Sequence, residues 1–210
     1  MIYNWCDENS LTQAQPIKSE YQQLLQGRFN ILFAGNMGKA QSLDTILDVS
    51  TELRSESKIQ FVFVGGGTET ERLKQRVLDE NIENIVFIPR MPMSEIGGVL
   101  EHADVLLVHL KRDPLFEITV PSKTQAYMAM GKPTLSTPLE ANVKINRNNS
   151  NLFATNIDEW VECINKYISN RSFYREVGFK NQKIVEEYYS VEANSISYIN
   201  IFNQLINVRN

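Results

Sequence analysis

Six short apolar runs, rich in β-branched and aromatic residues, recur along the chain at residues 30–34, 60–64, 85–88, 105–108, 134–136 and 152–154. The stretches between them carry the period of helices. Leu43, Ile46, Leu47, Val49 and Leu53, for example, share one side of a helix over residues 42–53. Strands that are apolar throughout and separated by helices predict a parallel sheet covered on both faces. The fold class is therefore α/β, a doubly wound parallel sheet of about six strands, followed by C-terminal helices. Further helices are expected over 69–80, 94–100 with Ser94 as cap, 122–130, 158–169, 171–189 and 191–208; the charges of 69–80 read as a solvated face. In such sheets ligands bind beyond the carboxyl ends of the strands.

At 210 residues this is one domain with ample core. A net charge of −4 gives no broad surface for nucleic acid, so nucleic acid is not an expected partner and any phosphate binding must be local. Two distant cysteines and two histidines make neither a disulfide framework nor a metal site. No metal is expected, and the cysteine usage fits the reducing cytoplasm. No apolar run spans a bilayer. The first 28 residues, with Tyr3 and Trp5 lacking local partners, read as a linker from the middle of a longer protein.

Each polar or glycine-rich segment of note follows a strand. G-N-M-G-K-A-Q (35–41) ends the first, and its bend opens toward a helix; Gly35, Asn36, Gly38, Lys39 and Gln41 are candidate phosphate contacts, against the plain reading of a strand–turn–helix connection. The segment is neither a dinucleotide fingerprint nor a Walker loop. Gly65 and Gly66 follow the second strand. I-P-R-M-P follows the third, where Pro89 and Pro92 stiffen a loop presenting Ile88, Arg90 and Met91. Gly65, Gly66, Ile88, Arg90 and Met91 are candidates for holding a nucleoside, or else form βα loops with a surface arginine. After the fourth strand, His109, Lys111 and Glu117 are candidate cleft-lining groups, although a lone histidine at a strand end is more often structural. Thr119, Val120, Pro121, Ser122 and Lys123 then open a helix. Its free N–H groups, the positive end of its dipole and the Lys123 ammonium form the best anion site in the sequence. The plain alternative for Lys123 is a snorkelling surface lysine. Asp7 and Glu8, in the linker, are poor acid–base candidates, and no nucleophile arrangement is present.

The order G-N-M-G-K-A-Q, F-V-F-V-G-G-G, F-I-P-R-M-P, A-D-V-L-L-V-H-L-K and P-S-K-T-Q-A-Y-M-A-M-G-K-P resembles the C-terminal half of a retaining GT-B glycosyltransferase of family four. Within it, H-L-K…P-S-K-T-Q-A-Y is most similar to the N-acetyl-L-fucosamine transferase branch of bacterial surface-polysaccharide enzymes. The resemblance implies a linker over 1–28, a nucleotide-sugar-binding Rossmann-like domain over 29–185, and a crossing helix over 186–210. It also implies an acceptor-binding N-terminal half outside this chain. The donor would be a nucleoside-diphosphate sugar, most readily UDP-linked. The acceptor would be lipid-linked or a saccharide, and the location cytoplasmic, with peripheral attachment at the inner face of a bacterial membrane left open. Two departures stand out. The family's Arg and Lys near the first glycine loop fall on Asn36 and Gln41, and its two glutamates fall on Ile118 and Ala126; the second of these normally grips the ribose. Lys39 and Lys123 are expected to supply the missing positive charge, and Glu117 could replace the ribose ligand only by a shift of register. A non-hydrolysing UDP-sugar epimerase half and a non-catalytic nucleotide-binding or interaction domain are the alternatives. No catalytic residue is assigned.

Overall fold

The computed structural model describes residues 6, 11–13 and 15–207. Tyr3, Trp5, Asp7, Glu8 and the end of the last expected helix at Val208 lie outside them. In chain order the elements are α1 (Ser19–Leu25), β1 (Phe29–Asn36), a 3-10 turn (Lys39–Gln41), α2 (Asp44–Glu52), β2 (Ile59–Gly66), α3 (Thr70–Asp79), β3 (Ile85–Pro89), α4 (Met93–Leu100), β4 (Val105–Val108), α5 (Pro114–Glu117), α6 (Ser122–Ala129), β5 (Thr134–Ser136), α7 (Glu140–Ile145), β6 (Leu152–Phe153), α8 (Ile157–Ser169), α9 (Arg171–Tyr188) and α10 (Val191–Asn207). All six strands are parallel, in the order β3-β2-β1-β4-β5-β6. This is the doubly wound order, and it reverses direction between β1 and β4, which is where a ligand crevice opens.

Alternation along β1 divides the core. Ile31 and Phe33 join α2, α8 and the start of α9 on one face through Leu47, Trp160, Ile164 and Tyr167. Leu32 and Ala34 join α4, α6 and the end of α9 on the other through Val99, Met128 and Val185. Leu11 and Leu25 also belong to this second face, so the described part of the expected linker is folded onto the domain. Helix α9 runs on through the expected boundary at 185/186.

Two short helices, α5 and α7, escaped sequence reading because each has at most six residues and no apolar period of its own. Asp113 caps α5 by accepting the Leu115 amide at 3.0 Å, with Pro114 at the first helical position. Ser94 is not a cap: α4 begins one residue earlier, behind Pro92. Nor is α3 simply solvated, since Arg72 and Arg76 reach across to Asp44 of α2 at 2.9 and 3.0 Å. The Arg72 hydrogen bond is the main reason the Asp44 carboxyl sits below its ordinary pKa.

Strand β4 pairs with β1 only at Ile31–Val105 and Leu32–Leu106. Beyond that point the strands part, and Ala34 has no strand partner on its β4 side. The Tyr127 hydroxyl of α6 takes that place: it accepts the Ala34 N–H at 2.8 Å and donates to the Ala34 carbonyl at 2.9 Å. Tyr127→Phe strands two buried backbone groups, so urea unfolding should show a loss of about 2–4 kcal/mol; a loss under about 0.5 kcal/mol would mean that water replaces the hydroxyl.

Candidate functional site

At the carboxyl edge of the sheet the loop after β1 meets the loop after β2 backbone to backbone. Gly35 and Gly65 pair in register, both at positive φ (+141° and +125°). A Cβ on Gly65 would lie 2.2 Å from the Gly35 carbonyl oxygen. The Met37 amide donates to the Gly66 carbonyl at 3.1 Å, and the Gly67 amide to Thr70 Oγ1 at 2.7 Å. The glycines of the second loop thus serve the close approach of a neighbouring backbone. Gly65→Ala should cost on the order of 3 kcal/mol in thermal or urea unfolding, because strained φ and a backbone clash coincide.

A second strap joins this loop to the end of β4. The Lys111 amide donates to the Ala40 carbonyl at 3.0 Å, and His109 Nδ1 lies 2.6 Å from the Gln41 carbonyl. A carbonyl only accepts, so His109 carries its proton on Nδ1. The ring is 7 % exposed and packs 5.3 Å from Trp160; burial pulls its pKa down, partly offset by the Gln41 bond. His109 is therefore a structural tie, not an open cleft-lining group. Gln41 is turned inward as well, its Oε1 accepting the Gly38 amide at 3.1 Å. Asn36 folds its amide between Gly38 and Gly67: Cβ atoms added there would lie 2.8 Å from its Nδ2 and 2.7 Å from its Oδ1. Lys39 remains exposed.

Helix α6 brings the expected anion seat to the same place. Pro121, its N-cap, provides no side-chain cap, and the Ser122 and Lys123 amides find no backbone acceptor among the described residues. Ser122 is exposed, and Thr119 spends its hydroxyl on the Leu115 carbonyl at 2.7 Å. Val120 packs against the second core face. Lys123 lies one turn before Tyr127 on the face held against β1. Its Nζ sits 4.0 Å from the centre of the Phe33 ring, 3.2 Å from where a Cβ on Gly35 would be, buried and without a hydrogen-bond partner. Burial lowers its pKa from 10.5 to about 8. The segments 35–41 and 121–124 therefore meet at Lys123, whose Nζ lies between the Gly35 bend and the Phe33 ring.

Other expected contacts lie apart from this seat. Arg90 is exposed beyond β3, two strands and about 10 Å along the sheet from β1. Ile88 contributes its side chain to the core at 1 % exposure, which leaves only its backbone for a base, and Met91 packs against the same core face. Lys111 lies 3.9 Å from Asp113. Glu117 accepts the Glu140 amide at 3.1 Å and so caps α7. Of the two positions where the family's glutamates would fall, Ile118 is exposed and Ala126 packs against the core. Sequence reading missed Tyr127; the Y in P-S-K-T-Q-A-Y, four residues after Lys123, is its only signal. No cluster of three or more His, Cys, Asp or Glu able to hold a metal occurs among the described residues.

This architecture, a six-stranded parallel sheet with flanking helices, is that of a GT-B glycosyltransferase domain. Sucrose-phosphate synthase from Thermosynechococcus elongatus superposes with TM-score 0.79 at 15 % identity, over 99 % of this chain and 52 % of that one. Anabaena HepE, solved with UDP-glucose, gives 0.80 at 17 % identity, over 97 % of this chain and 57 % of the other. These likenesses establish the fold. The family model for glycosyl transferases group 1 matches residues 16–184, and the chain belongs to that family. Among curated relatives, the probable glycosyltransferase WbjE of Pseudomonas aeruginosa is 32 % identical over 115 residues, 55 % of this chain and 28 % of that protein. A putative colanic acid biosynthesis glycosyl transferase of Escherichia coli, WcaI, is 31 % identical over 101 residues, 48 % and 24 %. The matches thus span about a quarter of each curated relative's length.

A lysine whose pKa is lowered only in the native state leaves a pH signature. The unfolded chain keeps the Lys123 proton to about pH 10.5 and the folded chain only to about pH 8. The unfolded state binds more protons in that window, so stability should rise with pH between them. The difference between wild type and Lys123→Met, followed by urea unfolding at pH 8 and pH 10, isolates this contribution. A difference that does not change with pH would place Lys123 in solvent.

Proposed function

We propose that this chain is the donor-binding domain of a retaining glycosyltransferase that moves a sugar from a nucleoside-diphosphate sugar to a bacterial surface glycan. The observation that carries the reading is the buried Lys123 ammonium without a counter-ion, facing the Gly35 bend beside the uncapped start of α6. UDP and UDP-glucose occupy solved relatives of the same fold, which supports a UDP-linked donor. The names of WbjE and WcaI support glycosyl transfer and, for WcaI, a part in colanic acid biosynthesis. The P-S-K-T-Q-A-Y stretch supports the N-acetyl-L-fucosamine transferase branch.

In the reaction, the bond from the sugar's anomeric carbon to the β-phosphate oxygen breaks, and its electron pair goes to the departing diphosphate. The acceptor hydroxyl oxygen bonds to that carbon, and its proton passes to the diphosphate, the most basic group then present. The chain's contribution is fixed positive potential where that charge grows: the Ser122 and Lys123 amides, the α6 dipole, and the Lys123 and Lys39 ammoniums. Such pre-set groups contribute several kcal/mol where water is excluded. They would neutralise the diphosphate without a metal ion. The base would lie along the backbone at 88–91, and the ribose contact differs from the family pattern because Glu117 caps α7.

Helix α10 carries exposed apolar residues along most of its length, including Ile199, Phe202, Leu205 and Ile206. We assign it to packing on an acceptor-binding half, the role expected of the crossing helix. The described chain alone would then bind nucleotide and transfer nothing. No helix among the described residues is long and apolar enough to cross a membrane. The setting proposed is the cytoplasm, at or near the inner face of the membrane.

Calorimetric titration tests the donor site. UDP should bind more tightly than ADP or GDP, and Lys123→Gln should weaken UDP at least tenfold. Bound diphosphate raises the Lys123 pKa, so UDP affinity should fall as pH rises past about 8 in wild type but not in the variant. Equal UDP affinity in the two proteins would remove Lys123 from the site.

A further inference from the structure

A second cleft opens at the opposite edge of the sheet, where the strands begin. It has a volume of about 510 Å³ and lies between the start of β1, the turn after α6, and one face of α9. Ligand pockets fall in this size range. Lys132, Arg171 and Arg175 line it, against a single carboxylate, Asp104. None of the three cations lies within ion-pair distance of a carboxylate among the described residues. Asp104 accepts the Asn30 amide on its Oδ2 at 2.8 Å; burial raises its pKa, opposed by that bond and by the charges of Arg171, Lys132 and Arg175. Lys132 donates to the Glu101 carbonyl at 2.6 Å, and the Arg171 guanidinium lies 4.7 Å from the Phe29 ring centre.

This arrangement runs against local electrostatics. Arg171 is the first residue of an 18-residue helix with no acidic residue in its first turn and no side-chain cap, so a cation sits at the positive end of the dipole. Arg175 follows one turn later on the same face, and its charge also opposes that of Lys132. In a chain of net charge −4, three cations converge on one concave surface around a single carboxylate, Asp104, whose charge acts on all of them. An excess of cations over carboxylates in one cleft marks a site completed by an anionic ligand.

We propose that this cleft binds the phosphate group of a small phosphomonoester, with Arg171 and Arg175 as its paired guanidinium ligands and Lys132 as the third cation. Planar guanidinium groups match phosphate oxygens two at a time. The site is separate from the donor seat: β1 runs from Phe29 at this cleft to Asn36 at the other, about 23 Å at 3.3 Å per residue. Helix α6 also connects the two, with Lys123 at one end and the turn through Lys132 at the other.

Inorganic phosphate titrated at low ionic strength, followed by calorimetry, tests this without reference to the donor. Lys123→Gln should retain one saturable phosphate site that UDP does not displace. Arg171→Gln/Arg175→Gln in that background should weaken it at least tenfold, and Arg175→Gln alone, an exposed position that cannot compromise folding, at least threefold. Phosphate binding that vanishes in Lys123→Gln, or persists unchanged when the arginines are replaced, would overturn the proposal. Wild-type protein that binds phosphate in this way but binds no UDP would instead count against the donor-site reading alone.

Discussion

The two hydrogen bonds between the Tyr127 hydroxyl and the Ala34 peptide hold the functional edge of this domain together. Strands β1 and β4 must part for a crevice to form, and parting leaves a buried N–H and C=O on β1 without a ladder partner. A single hydroxyl, able to donate and accept at once, satisfies both. It also fixes the rotation of α6, and with it the place of Lys123 one turn earlier. Opening the sheet and delivering the cation to the Gly35 bend therefore have the same physical cause.

Lys123 then shows what such a site costs at rest. Its ammonium is out of water, faces an aromatic ring and has no anion. A ring face offsets only part of the lost hydration, and the remainder appears as a pKa near 8. A diphosphate would replace the missing hydration with direct charge pairing. The cleft at the other edge follows the same logic with Arg171, Arg175 and Lys132, although there the groups stay more exposed.

Strand identity was readable because the runs of β1, β2, β4 and β5 are buried on both faces and those of the outer strands β3 and β6 stay apolar, which leaves a continuous apolar signal. Helices α2, α3, α6, α8 and α9 were readable from period and length. What escaped was set by tertiary contact. The four residues of α5 are organised by the Asp113 cap, and α7 by the Glu117 carboxylate arriving from another element. Arg72 and Arg76 looked solvated because Asp44, their partner, lies on a different helix. At the site, the helix start at Pro121–Lys123 and the bend at Gly35 were legible from chemistry, since proline favours a first helical turn and glycine a tight bend after a strand. The inward turn of Gln41, the structural role of His109 and the burial of Ile88 were not, because each depends on what a neighbouring loop places against it.

The most direct measurement is a crystal structure of the protein with UDP bound. The account predicts the diphosphate at the start of α6, with the Ser122 and Lys123 amides within hydrogen-bond distance of phosphate oxygens and Lys123 Nζ turned from the Phe33 ring toward them. A diphosphate found at the strand-start edge beside Arg171 and Arg175, or a Lys123 side chain still packed on Phe33 with UDP bound elsewhere, would contradict it.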